Sequence, residues 1–216
     1  MDIQQRLTGF AMMGATWIMR VLVGLSVGGI AVALERAIYL IRTSENVRKL
    51  KIQILGLLRK GDVDGARARL KQSPSHVAEI IAAGLADPAE GSASAEERMS
   101  GATQLAKLRM ERRLALLGTL GSNAPFLGLL GTVIGIINAF HQLNDAAGKV
   151  TAGLMSQVGE ALVATAIGIL VALPAIAFFN AFQRIIKSRL ARAEAFGKEV
   201  LALLKAEKPG LTGPAV

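Results

Sequence analysis

The sequence predicts an all-α integral membrane protein, with three transmembrane helices that continue as long helices into the cytoplasm. Three observations carry this. First, 52% of the 216 residues are apolar and a further 23 are glycine, yet aromatics make up only 4%. The excess is therefore aliphatic, whereas a soluble core of this size normally uses more rings. Second, a mean hydropathy of +0.44 coexists with a net charge of +9, as apolar helices joined by basic loops would give. Third, no charged residue occurs in the 31 positions from Leu114 to Asn144, and only Glu160 in the 34 from Val150 to Gln183. A crossing needs about 20 apolar residues, because the hydrocarbon layer is about 30 Å thick and a helix rises 1.5 Å per residue. Both stretches exceed that. Such a composition argues against disorder, a disulfide scaffold or a secreted enzyme. The absence of cysteine removes thiolate metal sites and cysteine nucleophiles.

Residues 1–19 are expected to form a periplasmic or interfacial helix with Trp17 near headgroup level, and residues 20–41 the first transmembrane helix. Arg20 and Glu35-Arg36 flank that span, and long basic side chains can snorkel from such positions. A cleavable signal ending at Ala31-Val32-Ala33 is disfavoured, since its basic region would be too long and partly apolar.

Residues 42–115 read as a cytoplasmic helical domain. Val47, Leu50, Ile54 and Leu57/Leu58 follow each other at three- and four-residue steps. Gly61-Asp62 breaks that helix, Val63, Ala66 and Leu70 continue in a second, and Ser73-Pro74-Ser75 ends it and caps a third over 76–86. No breaker occurs from Ala95 to the next apolar run, so one helix is expected to pass from 95 directly into the second span. His76 and His141, the only histidines, are expected to be solvated or interfacial, because metal ligation needs clusters.

The remaining segments are a second transmembrane helix over 116–142, a periplasmic turn over 143–153, a third transmembrane helix over 154–183, and a cytoplasmic C-terminal helix and tail over 184–216. Lys and Arg orient them. Segment 42–115 holds 14 and segment 184–216 holds 7 of the 25, and basic loops stay cytoplasmic. The N-terminus is then periplasmic and the C-terminus cytoplasmic. The same excess predicts affinity for anionic lipid headgroups. Nucleic-acid binding is not expected, because segment 42–115 contains no Phe, Tyr or Trp to interleave with its basic residues.

Two features of the spans stand apart. Glycine costs about 1 kcal/mol per helix position relative to alanine, so a glycine-rich span implies close approach of a neighbour. At 100° per residue Gly121, Pro125, Gly128, Thr132 and Gly135 fall within about 40° of one line, with Gly131 beside it. Ala161, Thr165, Gly168, Ala172 and Ala175 repeat the device in the third span, and Gly24-x-x-x-Gly28 in the first. Pro125 and Pro174 each remove a backbone donor and are expected to kink or interrupt their helices. The other feature is Glu160. A carboxylate in a lipid-embedded helix costs a few kcal/mol and is a functional candidate by default. Desolvation favours its neutral form, so it is expected to bind and release protons. No basic partner is evident at the same depth; Arg20, near the outer interface, is the one that could reach toward it. Glu160 and Thr165 lie about 140° apart on an ideal helix, so they meet opposite edges of a pore or different helix surfaces. No nucleophile–base pair, metal cluster or cofactor motif is present, and no enzymatic activity is expected.

Residues Gly118-Thr119-Leu120-Gly121-Ser122-Asn123-Ala124-Pro125-Phe126-Leu127-Gly128-Leu129-Leu130-Gly131-Thr132-Val133-Ile134-Gly135-Ile136 and Gly159-Glu160-Ala161-Leu162-Val163-Ala164-Thr165-Ala166-Ile167-Gly168 resemble the two signature helices of the ExbB/TolQ proton-channel family, which is related to the MotA flagellar stator subunit. The resemblance covers nearly the whole chain. MotA-type stators lack the glutamate, so Glu160 points to the ExbB/TolQ branch, with the ExbB side preferred. The resemblance implies an inner-membrane homo-oligomer, pentameric in this family, that encloses single-span ExbD- or TolR-like subunits bearing an essential aspartate. Proton flow would then drive a TonB- or TolA-like protein and so energise outer-membrane import. It also implies that Glu160, Thr132 and Thr165 line the proton path, and that Gly121, Pro125, Gly128, Gly131, Gly135 and Gly168 form a packing or pore-facing stripe. The alternatives are a TolQ-like subunit of the Tol-Pal envelope system, or a self-sufficient channel or membrane scaffold.

Overall fold

A computed structural model of the chain describes residues 16–87, 90–145 and 150–206. Every regular element among them is an α-helix: α1 Thr16–Arg42, α2 Val47–Leu58, α3 Val63–Lys71, α4 His76–Gly84, α5 Ser92–Glu111, α6 Leu114–Asp145 and α7 Ala152–Ala206. The interfacial helix expected over 1–19 lies outside the described residues up to position 15, as do the middle of the 143–153 turn and the tail beyond 206. Among the described residues three helices are long and apolar enough to cross a membrane. At 1.5 Å per residue, the 55 residues of α7 make about 80 Å of helix, far more than one crossing needs. Pro125 and Pro174 sit inside α6 and α7, which continue through them. Each proline therefore costs one backbone hydrogen bond and does not end its helix.

The chain divides into two units, Met1–Glu35 with Arg113–Ala181, and Arg36–Arg112 with Phe182–Val216. In the first, Ile18 and Leu22 of α1 are fully buried among Ala124, Ile134, Val171 and Ala172, with Trp17 packed against the cluster. Large apolar side chains elsewhere on the same helices point outward, including Val27, Phe126, Phe140, Leu162 and Leu170. Exposed aliphatic faces on three helices suit a lipid surface or a neighbouring subunit better than water.

One element departs from expectation. The helix predicted to run from 95 into the second span is broken at Arg112 and Arg113. Arg112 is extended (φ −52°, ψ 132°) and Arg113 is left-handed at φ 63°, a conformation that costs a non-glycine residue roughly 1–2 kcal/mol. An ion pair between the Arg113 Nη1 and Glu35 Oε2, 2.9 Å apart, holds the side chain that this backbone directs toward α1.

In the second unit Leu50, Ile54 and Leu58 of α2 and Ala66 and Leu70 of α3 are buried as expected, joined by Leu55, while Val47, Leu57 and Val63 of the predicted faces are only half-buried. The caps are polar side chains. Asn46 accepts from the Arg48 and Lys49 amides, Asp62 from Gly65 and Ser75 from Val77, each satisfying a donor that a helix start leaves free. Arg189 of α7 donates to the Leu40 carbonyl and to the Thr43 hydroxyl, closing the end of α1.

His76 and Arg36 correct the sequence reading. His76 is 8% exposed and not solvated. Its Nε2 is 2.9 Å from the Tyr39 hydroxyl and its Nδ1 is 3.4 Å from Glu79, which also pairs with Arg109 at 2.5 Å. Arg36 does not snorkel. It is 4% exposed, lies over the Tyr39 ring and donates to the Arg109 carbonyl. Burial holds the His76 imidazole below its ordinary pKa; Glu79 opposes that, while Arg109 and Arg189 add to it. The folded unit therefore binds this proton less readily than the unfolded chain. Its stability contribution is complete above the ordinary imidazole value of about 6.5 and falls as pH drops below it. Melting of the protein in detergent should accordingly weaken between pH 7.5 and 5, and His76→Gln, which cannot titrate, should flatten that acid limb. An unchanged limb in His76→Gln would assign the acid sensitivity elsewhere.

Candidate functional site

The membrane unit is organised by the contact of α6 with α7, and glycines set its closeness. A Cβ built on Gly168 would lie 2.7 Å from the Ala124 carbonyl oxygen and 3.0 Å from the Gly128 Cα, and one on Gly128 would lie 2.9 Å from the Ala164 oxygen. Gly131 and Gly135 meet the methyl groups of Ala164 and Ala161, and Gly121 meets Ile176. Packing within one chain thus accounts for Gly121, Gly128, Gly131, Gly135 and Gly168, and Pro125 is half-buried on the same helix. By contrast, nothing lies within 4 Å of a Cβ at Gly24 or Gly28.

Ala161 fixes the rotation of α7 at this depth, because it is 1% exposed and turned toward Gly135. Glu160, one residue earlier and so about 100° round the helix, is turned away from α6 and meets α1. Its Oε1 accepts a 2.7 Å hydrogen bond from the Thr16 hydroxyl, and the side chain is half-buried. Burial of Ile18 and Leu22 seats α1 so that Thr16 reaches this carboxylate. Among the described residues no cation pairs with Glu160. Arg20 is exposed and makes no bond to it.

The two threonines singled out in the sequence face elsewhere. Thr165 donates to the Gly128 carbonyl of α6 at 3.1 Å, and Thr132 to the Leu129 carbonyl of its own helix at 2.7 Å. Thr165 and Glu160 therefore serve different inter-helix surfaces, as their 140° separation allows. No hydrogen bond joins Glu160, Thr132 and Thr165 to one another among the described residues. The hydroxyl on the carboxylate belongs to Thr16, 144 positions upstream, and no spacing rule could have paired them. Chemically, the arrangement offers a carboxyl next to a hydroxyl that can both donate and accept hydrogen bonds. Asn123 and Ser122, near the opposite end of the glycine stripe, both donate to the Thr119 carbonyl.

Several known proteins are similar to this chain in sequence. Residues 72–195 match the MotA/TolQ/ExbB proton channel family. A putative biopolymer transport protein ExbB-like 2 of Helicobacter pylori is 47% identical over 78 residues, covering 36% of this chain and 52% of that protein. The Tol-Pal system protein TolQ of Pseudomonas aeruginosa is 33% identical over 137 residues, 63% of this chain and 55% of TolQ. The biopolymer transport protein ExbB of Aquifex aeolicus is 36% identical over 103 residues, 48% of this chain and 69% of that protein. The chain spans about half the length of the Helicobacter pylori and Pseudomonas aeruginosa relatives.

Proposed function

Since the chain belongs to the MotA/TolQ/ExbB proton channel family, we propose that it is the ring-forming subunit of an inner-membrane motor of the ExbB–ExbD type. In this reading the proton motive force drives the motor to energise outer-membrane import through a TonB-like protein. The observation that carries it is the state of Glu160: a carboxylate on a membrane helix whose hydrogen-bond partner is a neutral hydroxyl. A cation in that place would hold it ionised, whereas a hydroxyl leaves it free to change protonation. Each proton crossing yields about 2.3 kcal/mol per 100 mV, enough to bias a shift between packed helices.

One carboxyl does not make a relay. The threonines orient water or bond to backbone, so a second titratable group must come from another chain, and we assign it to a single-span partner of ExbD or TolR type bearing an aspartate. The chain would assemble as a homo-oligomer, a pentamer by family likeness, around that partner. Its N-terminus would be periplasmic and its basic segments 42–115 and 184–216 cytoplasmic, beside anionic headgroups. Thr132 and Thr165 would flank the path through the backbone they bond. This role is transport and not catalysis. A TolQ-like role in an envelope system is the second reading, favoured by the length of the TolQ match.

Proteoliposomes test it. Proton influx driven by an imposed potential should be at background with this chain alone and rise when a single-span subunit of ExbD or TolR type is co-reconstituted. Flux from this chain alone at the full rate would make it a self-sufficient channel and overturn the two-carboxyl reading.

A further inference from the structure

The hydroxyl on Glu160 comes from the first residue of α1, ahead of the 20–41 span, in a segment to which the sequence assigned no part in proton handling. Resting on the proton role of Glu160 proposed above, we infer that Thr16 is a positioning residue that holds the Glu160 carboxyl in one place through both of its protonation states. The 2.7 Å bond runs from the Thr16 Oγ1 to Oε1 of the carboxylate. A hydroxyl has one hydrogen to donate and lone pairs with which to accept. Beside the ionised carboxylate, Thr16 donates. Once the carboxyl is protonated, its own O–H donates to Oγ1, and the threonine hydrogen turns to water. The pair stays joined while the proton enters and leaves, without any cation that would fix the charge.

The location supports this role. Thr16 is exposed and contributes nothing to the core, so its hydroxyl is not explained by packing. Two residues on, Ile18 is fully buried among α6 and α7 side chains, which anchors the α1 backbone and fixes where the hydroxyl points. Thr132 and Thr165 give their hydroxyl hydrogens to backbone carbonyls, leaving Thr16 as the side chain bonded to this carboxyl among the described residues.

Thr16→Val keeps the shape and deletes the hydroxyl; Thr16→Ser keeps the hydroxyl. Both are made in the complex with the single-span subunit, beside Glu160→Gln. A hydrogen bond to a charged group is strong enough that its loss should lower proton flux about tenfold in Thr16→Val, with Thr16→Ser restoring most of it. The infrared bands of the Glu160 carboxyl, identified by their disappearance in Glu160→Gln, should shift in Thr16→Val and return in Thr16→Ser. A merely structural residue would move flux without moving those bands. Wild-type bands in Thr16→Val would overturn the inference, and so would wild-type flux. If Glu160→Gln conducts normally, the proton role of Glu160 itself fails. If Glu160→Gln is inactive and Thr16→Val matches wild type, only the role of Thr16 fails. Should Thr16→Val not assemble, Thr16→Ala carries the same two readings.

Discussion

Glu160→Gln is expected to reduce driven proton flux to background while leaving the assembled complex unchanged in size and thermal stability. Glutamine matches glutamate in length and volume, and its amide oxygen can accept the Thr16 hydroxyl as Oε1 does at 2.7 Å. The contacts that seat this part of α7, chiefly Ala161 against Gly135, do not involve the side chain. What disappears is the ability to exchange a proton, so the loss should be all-or-none in flux and negligible in melting. Glu160→Asp separates titration from position. It retains an acid but withdraws it by one methylene from the Thr16 hydroxyl, and flux should fall by about tenfold, the value of one good hydrogen bond to a charged group. Flux measured in liposomes with the single-span subunit present reads both. Normal conduction by Glu160→Gln would mean that the path runs elsewhere.

The membrane helices were legible because lipid imposes a strong constraint: charges vanish for 31 residues in α6 and nearly so over the 34 residues from Val150 into α7. Local polar signals were partly readable: Ser75 caps the helix that Ser73-Pro74-Ser75 introduces, Asp62 of the Gly61-Asp62 break caps the next, and the Asn46 cap carried no signal of its own. Long-range contacts were not readable. The break at Arg112–Arg113 has no glycine or proline to announce it, and the ion pair that accompanies it comes from Glu35, 78 positions away along the chain. His76 looked isolated because Tyr39 lies 37 residues upstream, although Glu79 at i+3 was within sight. Arg36 resembles an interfacial snorkel in sequence, which shows neither the carbonyl nor the ring it meets. At the site, Glu160 stood out by cost alone, but the partner of a carboxylate is a tertiary fact. Sequence offered Thr132 and Thr165 through family likeness, and the structure put a third threonine on the acid. The glycine stripe was visible as a stripe; that its partner is α7 of the same chain followed only from the backbone approach of Gly128 and Gly168.

That approach makes Gly168→Leu the substitution with the largest expected effect on folding. A Cβ at 168 would lie 2.7 Å from the Ala124 carbonyl oxygen and 3.0 to 3.2 Å from the Gly128 backbone. All three neighbours are main chain, so no side chain can swing aside and the two helices must separate. Separation breaks the Thr165 hydrogen bond to the Gly128 carbonyl and lifts Ala161 and Ala164 off Gly135 and Gly131. Between membrane helices there is little hydrophobic drive to compensate, because lipid is as apolar as the helix it replaces, and close packing supplies most of the attraction. Overpacking a tight contact costs about 1–3 kcal/mol and occasionally more, and a backbone-to-backbone contact belongs at the upper end. Gly168→Leu should therefore yield little folded protein in detergent, with early melting of what remains. Gly28→Ala is the matched control: a Cβ there meets nothing within 4 Å, and alanine favours the helix by up to about 1 kcal/mol, so the melt should hold or rise. A wild-type melt for Gly168→Leu would mean that α6 and α7 do not touch along this stripe, and that the glycines face a neighbour outside the chain.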